Sequence, residues 1–468
     1  MYSSVADEFN GCNFLDKRLS ERVMKIAVSI RENPQSSINM ACGSFGQSKA
    51  AYRFFENDKV TPEKILSPHV TNTLARAKTY NEPVIIVQDT TSLIYPYESV
   101  KELGNKIRSK GYKESVKGIE LHTSLAVSLT GTPLGVLKQT YFTYDEVKEK
   151  REQKGTNIAE IHKTFPIEKK ASYRWIDHFR TTENELKKEG IESIHVGDRE
   201  SDIYEFLHIA QELKSKFVIR SSSNRKILEE KRQKDTSKLE DVLEKTNNLG
   251  MIELKIKSTS TKYTSYQCEV KSAKVVLKKP KRQFDNNNLQ DISINVVEIT
   301  GISNDTGEKI YWRLLTNIEA DTIEKSLQII EIYKVRWNIE CFHRILKSGF
   351  HAEKSRLNTR DKLENLTTIL SIVSWHLFWL YKLSREQADI PANEIFGEQE
   401  IKILLISSRK LKVTVPKEMT ISMAVLIIAR MGGFLARKND GNPGMEVLWK
   451  GWKKFNDRCE FIEELTYG

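Results

Sequence analysis

Apolar residues recur at helical spacing near the start of the chain. Between Asp16 and Arg31 they fall at Leu19, Val23, Ile26, Ala27 and Ile30, which predicts an amphipathic helix. Ala50, Ala51, Phe54 and Phe55 predict a second helix over Ser48 to Asn57. From residue 83 the pattern changes. Pro83-Val-Ile-Ile-Val-Gln-Asp89 is a short apolar run closed by an acid, as in a buried strand. Strands are predicted next over Leu121 to Leu129 and Gly135 to Tyr144, then a helix over Glu168 to Glu189. A buried strand over Ser193 to Asp198, a helix over Ser201 to Lys214 and a strand over Phe217 to Arg220 follow. Strands alternating with helices predict an α/β core.

Residues 222–310 break that alternation. Lys, Ser, Thr and Asn are dense, and short apolar runs appear at Ile252 to Ile256, Cys268 to Val270, Val275 to Leu277 and Ile292 to Ile299. Turn signals stand at Asn286-Asn-Asn and Asn304-Asp-Thr-Gly, and Lys278-Lys-Pro-Lys-Arg282 reads as a basic loop. This predicts an inserted, mostly β subdomain. Trp312 to Thr316 returns to strand character. Asp321-Thr-Ile-Glu324 has capping-box spacing with Asp321 as the cap, and predicts one long helix to about Gly349. Residues 360–468 read as helical, and the apolar stretch Thr368 to Leu380 is too short to span a bilayer, so a buried core helix is expected there.

The domain reading is therefore a helical unit at 1–80, the first part of the core at 81–222, the β-rich insertion at 223–311, the core's last helix at 312–360 and a helical C-terminal unit at 361–468.

Charge narrows the partner. Lys plus Arg number 74 against 63 Asp plus Glu, a net +11, which fits a polyanion and nucleic acid first. In the N-terminal unit Lys49, Tyr52 and Arg53 are the candidate DNA contacts. The five cysteines are scattered and without Cys-x-x-Cys spacing, which argues against a zinc ribbon or disulfide framework and fits a reducing compartment. No signal peptide, no membrane partner and no P-loop for a nucleoside triphosphate is expected. His122, His195 and His343 lack metal-ligand spacing and are expected in core or surface roles.

The chemistry centres on three acids. Asp89 and Asp198 are expected at strand C-terminal ends, the edge where open α/β sheets gather ligands. The third is Glu340, in Tyr333-Lys-Val-Arg-Trp-Asn-Ile-Glu-Cys-Phe-His-Arg-Ile-Leu-Lys347. On a continuous helix at about 100° per residue, Arg336, Glu340 and Lys347 fall roughly 300°, 340° and 320° from Tyr333. All four would share one stripe, with Ile339, Phe342, Ile345 and Leu346 packed behind it. Three carboxylates suit hard divalent cations, Mg2+ with Mn2+ able to substitute, and two such ions can drive in-line displacement at a phosphodiester. Arg336 and Lys347 would hold phosphates.

At these residues the chain resembles the DDE transposases of bacterial insertion sequences, in the cut-and-paste group with the Tyr-Arg-Glu-Lys signature. Leu15-Asp-Lys-Arg-Leu19, Lys49-Ala-Ala-Tyr-Arg-Phe-Phe55, Val87-Gln-Asp-Thr-Thr-Ser92, Gly197-Asp-Arg-Glu-Ser-Asp202, the Tyr333–Lys347 segment, Ile428-Ala-Arg-Met-Gly-Gly-Phe434 and Leu448-Trp-Lys-Gly-Trp452 carry the resemblance. It implies a ribonuclease H-like catalytic core, with the β insertion between Asp198 and Glu340 and helical domains on either side. It implies metal-dependent cleavage at inverted-repeat DNA ends through a hairpin, transfer of the 3' ends into target DNA, and a homodimeric synaptic complex. It implies that Trp312 stacks on a flipped base and that Arg220 contacts DNA. A cytoplasmic, nucleoid-associated location is expected. The competing readings are a domesticated DNA-binding protein or transposition inhibitor, and a DDE-type nuclease without strand transfer.

Overall fold

The computed structural model describes residues 4–95, 103–105, 116–143, 166–228, 237–257, 263–280, 289–438 and 440–467. Tyr144, the Asn286–Asn288 turn, Asn439, and Lys281 and Arg282 of the basic loop lie outside them.

Four helices open the chain: α1 (Lys17–Glu32), α2 (Ile38–Ala41), α3 (Phe45–Phe55) and α4 (Pro62–Lys78). Each starts on a side-chain cap. Asp16, Ser37, Ser44 and Thr61 accept from the backbone amides of Arg18, Met40, Gln47 and Lys64. Helix α1 buries Val23, Ile26, Ala27 and Ile30, the stripe its period predicts.

The α/β region follows with β1 (Val84–Ile94), β2 (Gly104–Asn105), β3 (Lys117–Val127) and β4 (Pro133–Phe142). Helix α5 (Tyr173–Lys188), β5 (Ser193–Gly197), α6 (Tyr204–Glu212) and β6 (Lys216–Arg220) complete it. Then come β7 (Ile227–Leu228), α7 (Leu239–Lys245), β8 (Asn248–Lys257), β9 (Tyr263–Leu277), β10 (Ile292–Ser303) and β11 (Lys309–Thr316). The chain closes with helices α8 (Ile323–Lys334), α9 (Trp337–Arg344), α10 (Arg360–Glu386), α11 (Glu398–Lys410), α12 (Ile421–Met431) and α13 (Met445–Tyr467).

Among the described residues the strands form a single sheet in the order β2-β3-β1-β5-β6-β11-β10-β9-β7, with β4 also on β3 and β8 also on β9. Strand β3 runs antiparallel to β1 and β4 antiparallel to β3, whereas β5 is parallel to β1 and β6 to β5. The later β segment pairs into the same sheet through Leu314↔Arg220 and Leu315↔Ile219. Successive β1 residues alternate between two cores, as a strand's period of two requires. Ile85 and Val87 face the large core that holds Ile339, Phe342, Ile369 and Ile372. Val84 and Ile86 face a smaller one with Leu74, Ala77 and Leu186. On β5, Ile194 and Val196 join the large core. The parity of both strands thus aims residues 89 and 198 toward helix α9.

Three expectations change. Asp89 does not end its strand: β1 stays paired with β3 as far as Ile94↔Gly118, although its parallel pairing with β5 stops at Val87. The cap of α8 is Thr322, whose hydroxyl accepts from the Lys325 amide at 3.3 Å, while Asp321 pairs with the Lys325 ammonium at 2.8 Å. The long helix is broken at Val335 and Arg336. There i→i−3 hydrogen bonds take over: Arg336 N donates to Tyr333 O at 3.0 Å, and Asn338 N donates to Val335 O at 3.0 Å. The Asn338 amide donates a further bond to the Val335 carbonyl. Beyond α9 the chain underwinds into a π turn, Ile345–Gly349. Both departures from α geometry flank Glu340, where such irregularities mark functional segments.

Helix α10 is long and apolar enough to cross a membrane, but 94% of its apolar window is buried within the fold, so it is the core helix the sequence predicts. Its Trp375 lies against Arg76 of α4, 4.2 Å from guanidinium carbon to ring centroid, above a buried ion group. There Glu8, fully buried, accepts from Arg76 at 2.6 Å and from His69 Nδ1 at 2.5 Å. His69 Nε2 accepts from the Val136 amide at 2.9 Å, so this ring is neutral with its proton on Nδ1.

Candidate active site

Asp89, Asp198 and Glu340 converge on one face of the sheet. Burial and then the charge of Asp198, with a smaller addition from Glu340, push the Asp89 pKa up from 3.8 to about 7. The Thr90 amide and Arg336 pull the other way. The carboxylates are close enough to repel, and the site calls for positive charge.

Each aspartate is held by one oxygen. The Thr90 amide donates to Asp89 Oδ1 at 2.8 Å. The Glu200 amide donates to Asp198 Oδ1 at 2.8 Å, which also caps the short turn Arg199–Ser201. Glu340, on α9, accepts from Arg336 at 2.5 Å. The same guanidinium comes within 3.9 Å of Asp89 Oδ2. Burial opposes the charge of Arg336, but Tyr333, Glu340 and Asp89 outweigh it, so Arg336 stays cationic. Among the described residues no three ligand side chains are drawn close enough to hold an ion together. Arg336 is the cation that faces both Glu340 and Asp89.

Tyr333 is 3% exposed and stays beside Arg336, whose guanidinium carbon lies 6.0 Å from its ring centroid. It packs edge-on against Trp312, ring centroids 5.1 Å apart. Arg336 and Glu340 still face the aspartates. Lys347, in the π turn, donates to the Ser92 carbonyl at 2.9 Å and lies 3.4 Å from Glu353. It tethers the end of β1 to the last turn of the catalytic segment. Glu353 in turn accepts from the Ile94 amide.

Trp312 is half-buried on β11 and lines a cavity of about 160 Å³ with Tyr263, Tyr333, Trp337, Lys255 and Arg336. Arg220, at the end of β6, donates to the Tyr311 carbonyl at 2.9 Å, and burial lowers its pKa beside Tyr333. On α3, Lys49 and Arg53 are exposed one turn apart, next to Phe45 at 84% exposure. Tyr52 leaves that face. It is half-buried and lines a separate cavity with Ile30, Phe350 and Leu357, because one residue's step on a helix turns it toward the core. His122, His195 and His343 are buried.

The sequence reading missed Arg174, Thr90 and Glu200. Arg174, on α5, donates through Nε to Thr90 Oγ1 at 3.1 Å and through one terminal nitrogen to Glu200 at 2.8 Å. A single Arg on an amphipathic helix gives no signal of such a role; only its place beside the first turn of α5 hints at it.

Comparison with known families decides the class. A transposase DNA-binding family matches residues 1–60, a transposase DDE domain matches residues 177–375, and a transposase Tn5 dimerisation domain matches residues 372–467. This chain belongs to the DDE transposases. The DDE match contains Asp198 and Glu340 and begins after Asp89. The transposase therefore joins a DNA-binding unit, a nuclease domain and a dimerisation unit, and DNA and a second copy are its partners. A solved piggyBac transposase synaptic complex with hairpin DNA is similar at 10% identity and a TM-score of 0.40, over 95% of this chain and 75% of that one. That likeness is too remote to bear on details.

Proposed function

We propose that this transposase cuts the inverted-repeat ends of its own element by metal-dependent phosphodiester hydrolysis, passes through a hairpin on the element's end and joins the 3' ends to target DNA. The observation that carries the reading is the convergence of Asp198 and Glu340 on Asp89, with Arg336 between them. The strand order supports a ribonuclease H-like core. Three antiparallel strands, β4-β3-β1, are followed by the parallel β5 and β6, with one acid on β1, one after β5 and one on the later helix.

The donor set fits hard cations: three carboxylates, one of them raised toward neutrality by burial and then by like charge. Asp89, Asp198 and Glu340 would hold Mg2+ or Mn2+, two ions in all. When bound, the ions activate the attacking hydroxyl and stabilise the leaving oxygen. Everything else falls to the chain. Oδ1 of each aspartate is already engaged by an amide, which leaves Oδ2 to face the reaction. With Glu340 given over to the ions, Arg336 would be free to hold a DNA phosphate. Lys347 holds the end of β1 in register. Trp312, backed by Tyr333, offers a ring to a base extruded at the hairpin, beside Trp337 and Tyr263. Lys49 and Arg53 present a basic face to the end duplex.

The test is excision from a supercoiled plasmid carrying the element's flanking repeats, with wild type and Glu340→Ala in Mg2+, Mn2+ and EDTA. Excision that needs metal and is lost in the variant, with end binding kept, supports the reading. Specific end binding without cleavage by wild type in either metal turns it to a domesticated binding protein; cutting without joining turns it to a nuclease.

A further inference from the structure

We propose that Arg174 is a positioning residue that sets the spacing of Asp89 and Asp198 from behind the sheet; the proposal rests on the metal-dependent reading above. The two aspartates are held in the same way. The amide of Thr90 bonds Asp89 Oδ1, and the amide of Glu200 bonds Asp198 Oδ1, both at 2.8 Å. Arg174 bonds the side chains of those same two residues, Thr90 at 3.1 Å and Glu200 at 2.8 Å. One planar guanidinium thus ties together the two peptide units that orient the carboxylates, one on β1 and the other in the turn after β5.

The strut is itself fixed. Its third nitrogen donates to the Ala171 carbonyl at 2.8 Å, and its carbon lies 5.2 Å from the Phe142 ring centroid. The Thr90 hydroxyl, having accepted from Arg174, donates to His122 Nδ1 at 2.8 Å. His122 Nε2 then faces Gln88 Oε1 at 3.3 Å. Every hydrogen in this chain has one direction that satisfies all partners, with His122 neutral and its proton on Nε2. Thr90 lies on the opposite parity of β1 from Asp89, so Arg174 comes from the α5 side, opposite α9. It holds the aspartates without competing with Arg336 for Glu340. Lysine cannot replace it, since a single ammonium lacks the rigid fork that spans the two partners.

The experiment titrates Mn2+ into the full-length protein, calorimetrically without DNA and as the Mn2+ dependence of cleavage of an end duplex. Arg174→Gln is expected to weaken Mn2+ binding and raise the half-maximal Mn2+ for cleavage about 10- to 100-fold, the usual cost of losing an outer partner of metal ligands. Duplex affinity in EDTA stays unchanged, and saturating Mn2+ restores much of the rate. Arg174→Lys does not rescue. Glu200, whose side chain is 61% exposed, offers a variant that folds whatever happens at Arg174. Glu200→Gln should move the Mn2+ midpoint the same way by a smaller factor, and the double variant should be no worse than Arg174→Gln alone. Unchanged or tighter Mn2+ binding in Arg174→Gln, or in Glu200→Gln if the first fails to fold, overturns the proposal. Loss of duplex affinity in place of the Mn2+ shift makes Arg174 a phosphate contact and also overturns it. If wild type binds Mn2+ but cleaves nothing, the functional reading fails, while the calorimetric arm still decides the strut.

Discussion

Arg336 and Glu340 stand one helical turn apart and form a 2.5 Å ion pair beside Asp89. The pair sits just past the break in the helix, and its other face looks at Asp89. In the free protein this guanidinium balances two carboxylates. In the working complex it is to serve phosphate. Arg336→Gln should lower end cleavage about 10- to 150-fold, the worth of one charged hydrogen bond. Single-turnover cleavage of a labelled end duplex measures it. A rate within twofold of wild type would remove Arg336 from the phosphate role.

Asp89 gives a pH signature. Its pKa is raised from 3.8 to about 7 by burial and by Asp198. The protonated acid is thus the form that the metal-free fold prefers. The stability this confers is full below about pH 4 and is lost as pH rises through about 7. Asp89→Asn should therefore stabilise the metal-free protein at pH 8, with a melting point higher by about 1 °C per kcal/mol relieved, and change little at pH 4. Calorimetric melting in EDTA at both pH values checks this, and equal shifts at both would count against it.

Glu8 works in the opposite sense. Burial raises its pKa, but His69 and Arg76 outweigh burial and hold the carboxyl well below the usual carboxylate range. Its stabilisation is present above that usual range and disappears as the medium acidifies toward its depressed value. Glu8→Gln leaves a guanidinium buried without its counter-charge and should cost about 3–5 kcal/mol at pH 7. Urea unfolding measures the cost, and the gap from wild type should narrow at acid pH.

On the N-terminal helices, Lys49→Ala and Arg53→Ala should each weaken end binding and lower the slope of log affinity against log salt by about 0.9 per lost phosphate contact. Tyr52→Phe, with its ring turned inward, should leave the slope alone. Gel-shift titrations across a salt series separate the two outcomes.

Much of this was written in the hydrophobic period. The runs at residues 84–88 and 193–197 marked buried strands, and parity alone then places residues 89 and 198 on one face. The period of α8 and α9 was legible too, but it could not reveal the break at Val335–Arg336. Four i→i−3 bonds tighten the backbone there over a few residues, too little to erase a 3.6-residue pattern. Strand β9 read as two runs because Lys271 to Lys274 interrupt its apolar residues, while the backbone there pairs with β10 without a gap. The Arg174 strut and the Glu8–His69–Arg76 group were illegible for another reason. Arg174 meets Thr90 and Glu200, and Glu8 meets His69 and Arg76, across long stretches of sequence that no local period links.

The most direct measurement is cleavage and joining of a labelled end duplex by Asp89→Asn, Asp198→Asn and Glu340→Gln, each in Mg2+ and with end binding measured in parallel. The three-carboxylate account predicts that all three variants bind ends as wild type does, and that each loses both cleavage and joining. A variant at any one of the three positions that still cuts and joins at the wild-type rate would contradict it.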